Sequence, residues 1–110
     1  MDNTLELTST AAGGFTVVRV EGVLDATTRD QFADGLAAAP GDLLLELSGV
    51  TFMDSRALGL IVHRWQANLT DGAKFGLVGV RYSTAKVMWI TGLAERLPMY
   101  GTLEEALASA

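Results

Sequence analysis

Hydrophobic residues change their spacing near the middle of the chain, from a continuous run to a helical repeat. The largely apolar run at residues 43–47 predicts a buried strand, and a short polar turn is expected after it. Phe52 and Met53 follow as expected core anchors, and Asp54 and Ser55 stand directly ahead of the helical repeat. That repeat has the period of about 3.6 residues that marks one helix face. Its members are Leu58, Ile61, Val62, Trp65 and Leu69. The chain therefore predicts a strand, a turn and an amphipathic helix as its central unit.

Strand and helix patterns on both sides of this unit complete the predicted order of elements. In chain order these are strands at about 5–8 and 15–20, a helix from Asp25 or Thr27 to Pro40, the central strand and helix, a strand at 75–80, a helix from Ser83 to about Thr91, an edge strand at 97–100 and a helix capped by Thr102. Strands and helices that alternate after a first hairpin predict an α/β fold, with a mixed sheet of about four to five strands and about four helices. The chain has 110 residues, enough for one compact domain and not for two, so residues 1–110 are expected to form a single domain.

Composition and charge narrow the class of function. The chain carries 8 Lys and Arg residues against 13 Asp and Glu residues, and the basic residues are scattered. Direct binding to nucleic acid is therefore not expected, because it relies on clustered cations. The sequence has no cysteine, which excludes disulfides and thiolate chemistry. The N-terminal residues lack the pattern of a signal peptide, and the apolar runs are too short to span a membrane. A cytoplasmic protein without membrane contact is expected.

The polar pair Asp54-Ser55 is the candidate functional feature. Both side chains are good helix N-caps, because their oxygens accept hydrogen bonds from unpaired N–H groups, and the local pattern favours that role. A serine hydroxyl at a helix N-terminus is also a sensible phosphate acceptor, since the positive end of the helix dipole tolerates added negative charge. Asp25 stands before the preceding helix and is open to the same interpretation as a cap.

The stretch Phe52-Met53-Asp54-Ser55, followed by Ala57-Leu58-Gly59, resembles the signature of STAS domains, and in particular of the small bacterial anti-sigma-factor antagonists. Their pattern is a hydrophobic pair, Asp, Ser, Ser or Thr, Gly and Leu. Arg56 replaces the second Ser or Thr, and Ala57 replaces the Gly. The stretch Gly22-Val23-Leu24-Asp25 is also similar to a STAS pattern. The resemblance covers nearly the whole chain and implies a STAS-like fold.

The resemblance implies a regulatory binding module and not an enzyme. An unphosphorylated antagonist of this family binds an anti-sigma factor that is also a serine kinase, which frees the sigma factor. The kinase then phosphorylates the serine that corresponds to Ser55, the complex dissociates, and a serine phosphatase resets the cycle. The implied partner-binding residues are Asp25, Asp54, Ser55, Arg56 and Ala57, with no cofactor and no metal. Arg56 is expected either to pair with the phosphate or to point at the partner and tune partner choice.

Catalytic chemistry finds little support in the sequence. His63 is the only histidine, lies off the apolar helix face and is expected to be solvated. Eight residues of helix separate it from Ser55, which is about 12 Å of rise and too far for a hydrogen bond. Two alternatives to the antagonist stay open. One is a non-phosphorylated STAS scaffold in a signalling assembly. The other is a domain that binds a small ligand, a nucleotide or a lipid, near Asp25 and Ser55.

Overall fold

The computed structural model describes residues 4–109, and its elements follow the predicted order. The strands are β1 (Leu5–Ala12), β2 (Phe15–Leu24), β3 (Leu43–Met53), β4 (Phe75–Val78) and β5 (Met99–Tyr100). The helices are α1 (Arg29–Ala37), α2 (Ser55–Asp71), α3 (Lys86–Ile90) and α4 (Leu103–Ser109), and a short 3₁₀ turn, Leu93–Glu95, follows α3. The strands pair in chain order, β1 antiparallel to β2 and all later pairs parallel. Within the described range, this five-stranded mixed sheet with four α-helices confirms the predicted α/β fold.

The sheet is covered on both faces, and β3 lies at its centre. On one face Leu45 of β3 packs in a cluster with Ile61 of α2 and Met88 of α3, and α1 contributes to the same cluster. On the other face Leu44 packs with Ala106 of α4. A parallel strand buried on both faces has an almost continuous apolar sequence. This explains why the start of β3 shows no alternation of polar and apolar residues.

The second half of β3 departs from the prediction. The strand does not end in a turn after Leu47 but continues to Met53. Its pairing with β2 shifts register twice, and each shift adds one residue to β3, so the buried positions become Leu47, Val50 and Met53. Phe52 then points away from the core and is 50% exposed. The prediction of a core anchor is confirmed for Met53 and wrong for Phe52, because neighbouring residues of a strand face opposite sides.

The end of α2 contains a buried polar residue in place of an apolar one. Leu69, predicted on the apolar face, is 64% exposed, whereas Asn68 is 4% exposed. The Asn68 amide donates to the backbone carbonyls of Gly41 and Lys74, at 3.0 and 2.9 Å. Its side-chain oxygen accepts from the guanidinium of Arg64 at 2.8 Å. These bonds join α2 to the loops before β3 and β4, and they turn Leu69 outward.

Gly22 has a structural role in the second motif. It adopts φ of 116°, and a Cβ atom there would lie 2.2 Å from the backbone oxygen of Thr4. Only glycine permits this close approach of β1 and β2 without a backbone shift. The residue therefore lets β2 continue to Leu24, the last residue before Asp25.

The predicted start of α3 is wrong, and the predicted cap of α4 is confirmed. The helix begins at Lys86 and not after Ser83, because the preceding residues form a turn closed on the backbone oxygen of Arg81. At α4, the N–H of Glu105 donates to the Thr102 hydroxyl at 3.2 Å. The cap at Thr102 follows the local rule for such residues.

Candidate functional site

The candidate site lies where β2 and β3 end side by side. Leu24 pairs with Met53 in the parallel register, and the N–H of Asp54 donates to the backbone oxygen of Leu24 at 3.0 Å. Asp25 and Asp54 are each the next residue after these strands, so the structure brings both carboxylates to one edge of the sheet. In parallel sheets this carboxyl-terminal edge is the usual location of functional side chains.

Asp54 is the N-cap of α2, as the sequence predicts. Its backbone is extended, and its Oδ1 atom accepts from the N–H of Ala57 at 2.9 Å. Its backbone oxygen accepts the first helical hydrogen bond, from Leu58. The Ala57 side chain is 3% exposed and packs in the core, so its methyl group is not available at the surface of the site.

We expect Asp54→Ala to lower the free energy of unfolding by about 1 kcal/mol, because an orphaned N–H at the start of α2 loses its acceptor. Asp54→Asn keeps an acceptor at this position, and its stability should stay close to that of the wild type. Urea unfolding of the three proteins measures both effects. Asp71→Ala is a matched control, since Asp71 is exposed at the opposite end of the same helix. An equal loss in Asp54→Ala and Asp71→Ala would contradict the assigned cap.

Ser55 is the first residue of α2 and is exposed. It lies at the positive end of a helix of 17 residues, where added negative charge is favoured. Its flank of α2 opens on a concavity of about 430 Å³. The other lining residues are Leu58, Gly59, Val62, His63, Gln66, Thr91 and Leu93. His63 is exposed in this concavity, as expected for a solvated residue.

Arg56 is also exposed but lies on the other flank of α2. It lines a separate concavity of about 440 Å³ together with Arg29, Gly59 and Leu60. Successive helix residues are about 100° apart, which explains why Ser55 and Arg56 open on different concavities. Arg56 thus lies beside Arg29, in a concavity separate from that of Ser55.

Asp25 holds a turn and does not cap a helix. Its carboxylate accepts from the N–H and the hydroxyl of Thr27, and α1 begins only at Arg29 with Thr28 as the N-cap residue. The cap predicted for Asp25 is therefore wrong, because its acceptor oxygen is used two residues on, in the turn. The hydrogen bond from the Thr27 side chain lowers the pKa of Asp25 below its usual value. Thr28 fixes this turn by donating its hydroxyl to the Val23 backbone oxygen at 2.7 Å.

An apolar surface lies next to Asp54, and the sequence did not predict it. Phe52 and the 80% exposed Ile90 line one concavity of about 410 Å³ together with Lys86 and residues before α3. Trp89 is 38% exposed and meets Tyr82 edge to face with ring centroids 5.3 Å apart. Phe52 is exposed because β3 shifts its register against β2, and this shift could not be predicted from the sequence of β3 alone.

The chemistry of the site is that of an exposed hydroxyl at the sheet end where Asp25 and Asp54 follow paired strands. Residues 4–109 contain no group of three or more His, Asp or Glu side chains placed to hold a metal ion. In the same range, no helix combines the length and the apolar character needed to cross a bilayer. Ser55 Oγ is accessible to an external phosphoryl donor, and the two neighbouring acidic residues would add to the charge of any phosphate placed there.

The chain is similar, both in sequence and in structure, to one group of known proteins. The family model of the STAS domain matches residues 6–106. The sequence is 24% identical over 115 aligned positions to the anti-sigma-F factor antagonist RsfA of Mycobacterium tuberculosis, covering 99% of this chain and 90% of that relative. The crystal structure of an anti-sigma factor antagonist from Mycobacterium paratuberculosis is similar with a TM-score of 0.87 and 26% identity, over 99% of this chain and 96% of that one. The phosphorylated form of the Bacillus cell fate determinant SpoIIAA shares the fold, with a TM-score of 0.70 and 22% identity over 96% and 98% of the two chains.

Proposed function

The chain belongs to the STAS domain family, and we propose that it is an anti-sigma-factor antagonist that is switched off by phosphorylation of Ser55. The antagonist role is supported by the relatives with that name, whose similarity extends over 99% of the chain. In this role the protein is a binding module and not an enzyme. It binds an anti-sigma factor and thereby releases the sigma factor, so it regulates transcription without touching DNA.

The observation that carries the proposed switch is the position of Ser55. Its side chain is exposed on the first turn of α2, at the sheet edge that also holds Asp25 and Asp54. The proposed partner is an anti-sigma factor that is also a serine kinase. It transfers the γ-phosphoryl group of ATP to Ser55 Oγ, which loses its proton as ADP leaves. A serine phosphatase hydrolyses the phosphoserine and resets the protein.

The helix start at Ser55 lets the domain tolerate this modification. A phosphate adds about −1.5 to −2 charges at pH 7 and three acceptor oxygens. Unpaired N–H groups and the helix dipole at the start of α2 interact favourably with that charge. The modification is therefore expected to act on the complex and to leave the fold intact.

The test of this function combines binding with intact-mass analysis. The protein is mixed with each anti-sigma factor kinase encoded in its genome, and binding and phosphate gain after addition of ATP are measured. The expected result is one tight complex and a gain of one phosphate that is absent in Ser55→Ala. Ser83→Ala is the matched control, because Ser83 is an exposed serine in the turn before α3. A phosphate gain that persists in Ser55→Ala would contradict the proposed site.

A non-phosphorylated STAS scaffold is the second candidate, and one observation favours it. Arg56 and Ala57 stand where the family pattern has Ser or Thr and Gly. Tight binding to the anti-sigma factor with no phosphate gain would support this scaffold and would exclude the switch at Ser55.

A further inference from the structure

Two arginines from different helices share one concavity beside the candidate site. Arg29 is the first residue of α1 and Arg56 is the second residue of α2, and both are exposed. They line the same concavity of about 440 Å³, whose remaining lining residues are Gly59 and Leu60. The chain has a net charge of −5, so two arginines in one small concavity give a locally positive surface on an acidic protein. Such a site attracts an anion.

Fold stability does not explain these two arginines. Cations are disfavoured in the first turn of a helix, because they meet the positive end of the helix dipole, and each arginine lies in a first turn. The contact of Arg29 with Asp30 is 3.6 Å long, and the two side chains are 51% and 96% exposed. An exposed pair of this kind contributes little, so Arg29 is free to change partner.

Gly59 is a further feature without a structural reason. It lies inside α2, where glycine is less favourable than alanine by about 1 kcal/mol. A Cβ atom at Gly59 would meet nothing within 4 Å, so packing does not require glycine. Gly59 lines both the concavity of Arg56 and the concavity of Ser55. Because Gly59 has no side chain, no side chain at this position separates the concavity of Arg56 from that of Ser55 across α2.

We propose that the anti-sigma factor that docks on Ser55 places a carboxylate side chain between Arg29 and Arg56, with its backbone crossing α2 over Gly59. This inference rests on the proposed function. The guanidinium groups donate charge-assisted hydrogen bonds to the carboxylate, which fix the register of the partner on α2. The arginine that departs from the family pattern thereby becomes a determinant of partner choice.

The test measures the affinity of unphosphorylated protein for the purified anti-sigma factor by titration calorimetry at two salt concentrations. Arg29→Ser and Arg56→Ser are each expected to weaken binding about tenfold, which is the effect of losing one charge-assisted hydrogen bond. Both variants should also show a weaker dependence of affinity on salt. Arg19→Ser is the matched control, because Arg19 alternates with the core residue Val18 and faces the opposite side of the sheet.

Gly59 gives an independent measurement. Gly59→Leu is expected to weaken binding at least about tenfold by placing a side chain between the two concavities. Its melting temperature should not fall, because Gly59 is exposed, an added Cβ atom meets nothing within 4 Å, and leucine favours a helix more than glycine does. Affinities of the arginine variants equal to that of Arg19→Ser would overturn the inference and leave the proposed function intact. The inference would also be overturned if the arginine substitutions destabilised only the phosphorylated protein, because the arginines would then bind the phosphoserine and not the partner. Absence of any complex with wild-type protein would overturn both proposals.

Discussion

Phosphorylated Ser55 is expected to weaken binding to the anti-sigma factor by at least about a hundredfold, which corresponds to about 2.8 kcal/mol. Ser55 is exposed next to Asp54 and near the turn of Asp25, so a docked partner encloses the phosphate together with two acidic residues. The phosphate then loses hydration and meets like charge inside the interface. Calorimetric titration of the modified and unmodified proteins gives the two dissociation constants, and their ratio is the predicted quantity.

Charge alone can be separated from position in this experiment. Ser55→Glu carries part of the phosphate charge at the same place and should weaken binding in the same direction, by a smaller factor. Ser109→Glu adds the same charge to an exposed serine at the end of α4, on the sheet face opposite α2, and should leave affinity nearly unchanged. Equal affinities of the phosphorylated and unmodified proteins would contradict the switch, whatever the result with the glutamate variants.

Asn68→Leu is expected to destabilise the fold by about 3 kcal/mol, although leucine has nearly the same shape as asparagine. The substitution removes both amide donors, so the backbone oxygens of Gly41 and Lys74 lose these hydrogen bonds. Arg64 loses the acceptor of its Nε–H. Each carbonyl keeps one other donor, the Arg64 guanidinium for Gly41 and the Leu43 N–H for Lys74. The expected loss is therefore that of three hydrogen bonds, at about 0.5–1.5 kcal/mol each and more for the bond from the charged Arg64. The free energy of unfolding in urea, and a fall of the melting temperature by about 10 °C or more, measure the effect.

Leu69→Asn provides the matched control for this prediction. It makes the reverse exchange at the adjacent position, where the side chain is 64% exposed and contributes little to the core. Its stability should stay within about 0.5 kcal/mol of the wild type. If Asn68→Leu and Leu69→Asn changed stability equally, the buried hydrogen-bond network would not have the role that we assign to it.

Features set by neighbours along the chain could be predicted from the sequence. Asp54 caps α2 through the N–H of Ala57, three residues on, and both groups are visible in one short segment. The fold class followed from the alternation of strands and helices in the same way. Asp25 was implied as a partner-binding residue by the resemblance alone, and the parallel pairing of Leu24 with Met53 explains why Asp25 and Asp54 follow the same end of the sheet.

Features set by distant parts of the chain were missed. Phe52 is exposed because β3 shifts its register against β2, and no pattern within β3 indicates where a partner strand shifts. Asn68 interrupts an apolar repeat, but its acceptor Gly41 lies 27 residues away. The concavity that joins Arg29 to Arg56 depends on how α1 and α2 meet, so the sequence singled out Arg56 and passed over Arg29.

The position of Ser55 inside the first turn of α2 limits how an enzyme could recognise and phosphorylate it. Its backbone is already helical, and its neighbour Ala57 is anchored in the core, so the segment cannot extend into a cleft as a flexible substrate does. An enzyme that modifies Ser55 must recognise a folded surface assembled from two strand ends and a helix. Nascent or damaged copies of the chain lack that surface. Such copies would neither bind the anti-sigma factor nor be phosphorylated by it. Only folded molecules would therefore take part in the regulation.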